Sequence, residues 1–325
     1  MNHGNDSSHR YDRRDWLRWA SAALCAGAAP GILAMSPAAV TVPMATAGDR
    51  PVVRLRVAGA AGRTVEADFL VDSGGGHFLL TEALASTLGL VLGEIYEEDG
   101  ARFSSARPVS AALGGLVLEL DPDRTSVLIG SSNILPQASG THADGMLPGH
   151  VLSRYRAVFD YPAARFTLGQ GPSVAADGVS LEMPVHPRSG FPWTEIEVDG
   201  ERFGMLLDTG ASFTMVSHTL LTRWAARHPQ WTRFEGANGA AATLGGRGLN
   251  TLYLPRMQWG PLALDDVGVV SQPAGTFEKW ITSMTARPVV GALAGNILTR
   301  FRLGLHYDRQ VLHAHLAAGT AGIRR

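Results

Sequence analysis

Residues 69–74 read Phe-Leu-Val-Asp-Ser-Gly, and residues 205–210 read Met-Leu-Leu-Asp-Thr-Gly. In each stretch an apolar, strand-like run ends at an aspartate that is followed by a hydroxyl residue and a glycine. Glycine lets the chain turn sharply, so that backbone amides can approach the carboxylate. One such motif alone is more often an Asx-type turn at the end of a strand. Two copies, each after a run too apolar for a surface turn, predict that Asp72 and Asp208 lie in buried turns.

The residues around the two motifs follow the same order, which indicates an internal duplication. The closing segments match most closely: residues 145–156 read Gly-Met-Leu-Pro-Gly-His-Val-Leu-Ser-Arg-Tyr-Arg, and residues 291–302 read Gly-Ala-Leu-Ala-Gly-Asn-Ile-Leu-Thr-Arg-Phe-Arg. Between the halves, residues 169–180 are rich in Gly, Ala, Pro and Ser, as expected of a surface connection. We therefore place an N-terminal lobe at residues 51–170 and a C-terminal lobe at residues 181–316.

The composition favours an all-β fold and excludes several functions. The 38 glycines and 18 prolines, with only 7% aromatic residues, indicate many tight turns. A net charge of -1 without a basic run gives no support for nucleic-acid binding. The sequence contains no HExxH, CxxC, GxSxG or nucleotide-binding motif. Although His313 and His315 could lie on one face of a strand, they are far in sequence from both aspartates. We therefore expect neither a cofactor nor a metal.

Two buried carboxyl groups can relieve the cost of their burial by facing each other and sharing a proton. Two carboxyl groups at such short range do not both ionise, because their like charges repel. One aspartate therefore keeps its proton while the other can activate a water molecule. A duplicated chain supplies the pseudo-twofold axis that such a pair needs. The motifs therefore predict an acid and a base at one site, formed by Asp72 and Asp208.

With these motifs the sequence resembles the retropepsin-like and pepsin-like aspartic protease superfamily, most of all bacterial members with two lobes fused in one chain. The resemblance covers about residues 51–316. It implies an all-β, bilobal acid-protease fold with Asp72 and Asp208 as the catalytic pair. It also implies that Ser73 and Thr209 hold the two loops together by hydrogen bonds across them, rather than act as nucleophiles.

Beyond the aspartates the two motifs differ. Gly74 and Gly210 occupy equivalent supporting positions, and the second motif continues with a serine, Ser212. We expect the Ser212 hydroxyl to hydrogen-bond to the outer oxygen of Asp208 and to lower the pKa of that aspartate. The first motif continues instead with Gly-Gly-His at residues 75–77. We therefore expect a more open first loop and a higher pKa for its aspartate. His77 is interpreted either as a pH-sensitive neighbour of the pair or as a solvent-facing residue at a strand edge.

The resemblance also implies a hairpin flap over the cleft in each half, well after each aspartate. Asp99-Gly100 and Asn238-Gly239 are dipeptides that tight hairpin turns favour. Tyr96 is interpreted either as a flap aromatic that contacts substrate or as an ordinary surface residue. These five residues are the candidate substrate-binding positions.

The N-terminus resembles a twin-arginine export signal, because the arginines at 13–14 precede an Ala-rich apolar stretch at residues 19–42. Small residues at 45–47 predict cleavage after Ala47, so that residues 1–47 form the signal peptide. The alternative of a membrane anchor is weaker, since three prolines make a poor spanning helix of about 20 residues. We expect a periplasmic or secreted protein without stable membrane insertion.

Together these observations predict an aspartic endopeptidase that hydrolyses peptide bonds with a water activated by Asp72 and Asp208. Its partner would be a peptide or protein substrate, and we expect a monomer. Two alternatives stay open. The first is a catalytically weak or inactive periplasmic peptide-binding protein on the same fold. The second is a hydrolase that uses the same acid pair on a non-protein substrate.

Overall fold

The structure is a computed structural model, and most of the chain from Ala39 onwards is described. The described residues are 39–98, 101–107, 110–130, 135, 142–170, 178–234, 251–316 and 323–324. Among them, no helix has the length and apolar character needed to cross a membrane. Residues 1–38, which hold most of the predicted signal peptide, lie outside this range.

Strands dominate the first half of the chain. Its elements are β1 (Ala39–Pro43), β2 (Ala45–Ala47), β3 (Arg50–Ala58), β4 (Thr64–Asp72), β5 (Phe78–Thr81), α1 (Glu82–Thr87), β6 (Ile95–Glu98), β7 (Ala101–Ser105), β8 (Ser110–Leu113), β9 (Leu116–Val117), β10 (Thr125–Ile129), β11 (Gly145–Pro148), α2 (Gly149–Leu152), β12 (Arg156–Asp160) and β13 (Arg165–Gly169).

The second half has the same character. Its elements are β14 (Val179–Glu182), β15 (Trp193–Val198), β16 (Glu201–Leu207), β17 (Met215–Ser217), α3 (His218–Arg227), β18 (Arg233–Phe234), β19 (Thr251–Trp259), β20 (Leu262–Gln272), β21 (Gly291–Leu293), α4 (Gly295–Leu298), β22 (Phe301–His306), β23 (Val311–Leu316) and β24 (Ile323–Arg324). Two short helical turns, Thr276–Trp280 and Ile281–Met284, lie between β20 and β21.

Each half builds its own sheet, and a third sheet joins them. The N-terminal sheet has the order β6-β7-β10-β5-β11-β4-β3-β8-β9, with β2 beside β3. The C-terminal sheet has the order β18-β19-β15-β16-β21-β17-β20-β24, and a β19–β20 pairing closes it further. The joining sheet has the order β1-β13-β12-β22-β23-β14, so strands from both halves meet where β12 pairs with β22. The all-β, bilobal fold expected from the sequence is confirmed.

The burial pattern explains why the motif strands are central. β3 alternates, with Leu55 and Val57 buried and Arg54 and Arg56 exposed, as expected of a strand with one wet face. The run just before each aspartate does not alternate: residues 69–71 and 205–207 are all buried. A strand that is apolar on both faces needs cover on both sides. The two motifs therefore end strands that lie inside the molecule.

The repeated closing segments hold equivalent positions in the two sheets. β11 runs parallel to β4, with Pro148 opposite Asp72, and β21 runs parallel to β16, with Leu293 opposite Leu207. Each is followed by a four-residue helix, α2 or α4, and then by a strand of the joining sheet. Both halves thus place the same local structure beside their aspartate.

The residues before the first lobe are part of the sheets. β1 pairs antiparallel with β13, and β2 pairs antiparallel with β3. Met44 and Ala47 are each only 3% exposed. Residues 39–47, which the sequence analysis placed at the end of the signal peptide, therefore contribute two strands and buried side chains to the fold.

Candidate active site

The two aspartates lie at the ends of matching strands. Asp72 is the last residue of β4, and Asp208 directly follows β16. The Asp208 amide donates to the carbonyl oxygen of Leu293 in β21, at 2.9 Å. Each motif is thus tied to the parallel strand beside it, and the two chain turns face each other at the junction of the halves.

A ring of four hydrogen bonds joins the two turns. Ser73 Oγ donates to the Leu207 carbonyl at 2.6 Å, and Thr209 Oγ1 donates to the Val71 carbonyl at 2.7 Å. The Thr209 amide donates to Ser73 Oγ and the Ser73 amide donates to Thr209 Oγ1, both at 3.0 Å. Both side chains are fully buried. Each hydroxyl uses its proton and accepts a bond in return, so its place in this geometry is that of a clamp and not of a nucleophile.

The clamp brings the two carboxyl groups into hydrogen-bonding contact with each other. The Gly74 amide donates to Asp72 Oδ1 at 2.8 Å, and the Gly210 amide donates to Asp208 Oδ1 at 2.9 Å. The space beside the carboxyl groups excludes a side chain at Gly210 and leaves little room for one at Gly74. A Cβ atom at Gly74 would lie 3.0 Å from Asp208 Cγ, and one at Gly210 would overlap the Asp72 carboxyl group.

The two aspartates are not equivalent. Burial raises the pKa of Asp72 well above its usual value, and the charge of Asp208 raises it further. Burial also raises the pKa of Asp208, but the hydrogen bond from Asp72 and the amides of Gly210 and Ala211 lower it. Hydrogen bonds to the charged form favour that form. The amides of Gly210 and Ala211 therefore favour the charged form at Asp208 more than the single amide of Gly74 does at Asp72.

The predicted role of Ser212 is wrong. Its hydroxyl is buried and has no hydrogen-bond partner among the described residues. The extra bond to Asp208 Oδ1 comes instead from the Ala211 amide, at 3.1 Å. The direction of the predicted asymmetry persists because a backbone donor takes the place expected for the hydroxyl. Ser212 takes part through its carbonyl oxygen, which accepts from the Asn296 amide at 2.8 Å.

Neighbouring elements hold the loop after Asp72, where Gly76 stands at the position that Ser212 has in the second motif. Arg124 Nη2 donates to the Gly76 carbonyl at 2.8 Å, and the Gly149 amide donates to the Gly75 carbonyl at 3.1 Å. These bonds fix two successive carbonyls of the loop from α2 and from the turn before β10. The more open first loop expected from the sequence is thus tethered by residues distant in the chain.

A series of side-chain hydrogen bonds connects His77 to the predicted flap. Its Nδ1 lies 3.0 Å from Ser126 Oγ, and Tyr96 Oη lies 3.0 Å from the same hydroxyl. Tyr96 also stacks on Phe103 of the neighbouring strand β7, with ring centroids 5.8 Å apart. Of the candidate substrate-binding residues, Tyr96 is placed on the β6–β7 hairpin; Asp99, Gly100, Asn238 and Gly239 lie outside the described residues.

Two arginines near the pair were missed by sequence reasoning. Arg50, at the start of β3, is 6% exposed, and its charge acts on both Asp72 and Asp208. Arg124 holds the Gly76 carbonyl, as described above. No local motif marks either residue, because their positions depend on strand pairing.

The structure contains no metal-binding arrangement in its described part, where no group of three or more His, Cys, Asp or Glu side chains could hold an ion. His313, one of the histidines considered in the sequence, has its Nδ1 3.0 Å from Ser180 Oγ in the joining sheet.

Comparisons with known proteins agree with the geometry. A family model described as aspartyl protease matches residues 194–285, which include Asp208. The crystal structure of an aspartic proteinase from Irpex lacteus shares the fold with a TM-score of 0.50 and 13% identity, over 87% of this chain and 99% of that one. No curated protein sequence matches the chain. The family-model match and the shared fold support an aspartic protease-like superfamily for this protein.

Proposed function

We propose that the protein is an aspartic endopeptidase. The observation that carries this proposal is the partly buried pair Asp72 and Asp208, whose carboxyl groups are held against each other by the Ser73–Thr209 clamp. A pair that shares one proton provides a general base and a general acid at one site. The aspartyl protease family match over the second motif supports the same chemistry.

The asymmetry of the pair assigns the roles. Ionised Asp208 takes a proton from a water molecule while the water oxygen attacks the carbonyl carbon of the scissile amide. Asp72 gives its proton to the carbonyl oxygen, which forms a tetrahedral diol. In the second step Asp208 returns its proton to the amide nitrogen, and Asp72 recovers one from a diol hydroxyl. The carbon–nitrogen bond then breaks, and the pair is back in its starting state.

Replacing either aspartate by asparagine should abolish hydrolysis. Asp72→Asn removes the acid and Asp208→Asn removes the base, so we expect a loss of at least about 10³-fold in kcat/KM for peptide cleavage. The measurement is turnover of a peptide library from pH 3 to about 8, with and without the transition-state mimic pepstatin. Exposed Asp123, whose carboxylate pairs with Arg107 at 3.2 Å, gives the matched control Asp123→Asn.

Two results would contradict the endopeptidase. Near-normal cleavage by either Asp→Asn variant would remove the two-carboxylate mechanism. Tight binding of peptides by the native protein without cleavage at any pH would favour the peptide-binding alternative. Cleavage of a non-protein substrate, lost in both variants, would keep the acid pair and change the substrate class.

The pair should also make stability depend on pH. Burial raises the pKa of Asp72 and Asp208 above that of unfolded aspartate. Between the unfolded and the folded pKa values, the folded state therefore binds more protons than the unfolded state. Their contribution is complete below the unfolded pKa of about 4 and is lost as pH rises through the folded values. Asp72→Asn should therefore be more stable to urea than wild type at pH 7. We expect its free energy of unfolding to be higher by about 1.4 kcal/mol for each unit by which folding raises the pKa of Asp72.

This advantage should shrink as the pH approaches about 3, where the wild-type aspartates are protonated in both states. Urea unfolding at the two pH values measures it, again with Asp123→Asn as the control. An equal effect of Asp72→Asn at both pH values would mean that the buried pair does not titrate as described.

The clamp should contribute strongly to stability. Ser73→Ala would leave the Leu207 carbonyl and the Thr209 amide without their partners in a buried site. We expect a loss of about 2–4 kcal/mol in unfolding free energy, since each unpaired buried group costs about 1–3 kcal/mol. Ser212→Ala is the matched control, because it removes a buried hydroxyl with no hydrogen-bond partner among the described residues and should change stability by less than about 1 kcal/mol. If the two variants lost the same unfolding free energy, the clamp would not contribute to stability as proposed.

We further propose that the protein is exported to the periplasm or secreted, through the twin-arginine segment at residues 13–14. The burial of Met44 and Ala47 and the pairing of β1 and β2 favour a cleavage site before Ala39 over one after Ala47. The small residues Ser and Ala at positions 36 and 38 suit a signal peptidase there. N-terminal sequencing of exported protein should give a start at or before Ala39. A start at Gly48 would overturn this placement.

A further inference from the structure

An arginine begins the strand that pairs with the strand of the first aspartate. β3 and β4 pair antiparallel, with Val52 opposite Leu70. The assigned pairs end there, and Arg50, the first residue of β3, and Asp72, the last residue of β4, each lie two residues beyond this pair. Arg50 itself pairs with Ala47 of β2. The ends of β3 and β4 therefore bring the arginine into the neighbourhood of the aspartate.

Arg50 is buried, and in the described part of the chain no carboxylate outside the candidate active site acts on it. It is 6% exposed, and its Nε donates to the carbonyl oxygen of Ala47 at 3.3 Å. The carboxylates whose charges act on it are Asp72 and Asp208. A buried guanidinium group is costly unless an opposite charge compensates it. The aspartate pair is what compensates it here.

The other polar groups around the pair do not replace this charge. Asp49, the neighbour of Arg50 in the β2–β3 turn, has a pKa raised by burial and lowered by Arg300. Tyr161 senses the charges of Asp49 and Asp208, and Tyr307 senses that of Asp72; burial raises the pKa of both phenols, so they stay neutral. Among the described residues, the charge outside the pair that acts on both aspartates is that of Arg50.

Counting charges shows which protonation state the arginine favours. With one shared proton the pair carries a single negative charge, and together with Arg50 the buried cluster is neutral. With both aspartates protonated the cluster would carry a net positive charge, which burial penalises. A guanidinium group keeps its proton in proteins, so Arg50 cannot remove the excess positive charge by becoming neutral. The arginine therefore opposes protonation of the pair.

We propose that Arg50 is a positioning residue whose fixed charge keeps the Asp72–Asp208 pair in its one-proton state at more acidic pH, and thereby sets the acid limit of hydrolysis. The inference rests on the proposed hydrolytic function of the pair. The arginine contacts neither the reacting water nor the substrate in this scheme. It acts on the reaction through the protonation state of the aspartates.

The test compares three variants of one strand. Arg50→Met removes the charge and should move the acidic limb of the pH–rate profile upward by about one pH unit, as expected when an opposite charge near a carboxylate is lost. Arg50→Lys retains the charge and should recover most of that shift. Arg54 lies in the same strand, is exposed and pairs with Asp68 at 3.0 Å. Arg54→Met is therefore the control and should leave the profile unchanged.

A second readout separates this inference from the proposed function. The carboxyl ¹³C resonances of Asp72 and Asp208 report their titration without any substrate, and both macroscopic pKa values should rise in Arg50→Met. If the native protein cleaves no peptide but these resonances shift, the endopeptidase proposal fails and the role of Arg50 stands. If hydrolysis is normal and neither the profile nor the resonances shift, the role of Arg50 is refuted.

Should Arg50→Met fail to fold, the wild-type protein still decides the matter. The Nε–H resonance of Arg50 should follow the titration of the aspartate pair, and Asp72→Asn should change that titration. A resonance that does not respond to pH across the range in which the aspartate ¹³C resonances titrate would overturn the proposal.

Discussion

The Ser73–Thr209 clamp is the constraint on which the site depends. Two carboxyl groups that share a proton must be held within hydrogen-bonding distance, although their repulsion and desolvation both oppose this. In the clamp, the amide and the hydroxyl of Ser73 and of Thr209 each bond to the opposite turn. Because these residues directly follow the aspartates in the chain, the clamp sets the separation of the two carboxyl groups. The joining sheet then keeps the two halves in the one arrangement that lets the clamp form.

Near-symmetry produces the pair, and departures from symmetry give its members different roles. Both aspartates accept a hydrogen bond from the amide of the glycine two residues on. Among the described residues, Asp208 alone accepts a second amide, that of Ala211. The first turn uses the equivalent space for a glycine-rich loop, whose carbonyls are held by Arg124 and Gly149 instead. One proton shared by two unequal carboxyl groups has a preferred position, and the proposed roles of acid and base rest on this difference.

The sequence was informative where the interactions are local or repeated. The apolar runs, the two Asp-Ser/Thr-Gly motifs and the similar closing segments predicted the all-β bilobal fold and a pair formed by Asp72 and Asp208. The prediction that the Ser212 hydroxyl bonds to Asp208 was wrong, because the path of the backbone in the turn decides which donor lies near the carboxylate. That donor is the backbone amide of Ala211. Arg50 could not be predicted either, since its approach to both aspartates requires the register of β3 on β4 and the docking of the two halves.

The N-terminal strands connect these observations. Small residues before Gly48 satisfy a peptidase signature, but the same residues suit a short strand that turns tightly into β3, where Gly48 and Asp49 both have positive φ. That turn leads directly into Arg50, and the carbonyl of Ala47 accepts its Nε–H. Loss of residues 39–47 would therefore remove more than an edge strand: it would free the arginine whose charge balances the aspartate pair. The segment that a motif alone would assign to the signal peptide is thus, in the fold, part of the support of the active site.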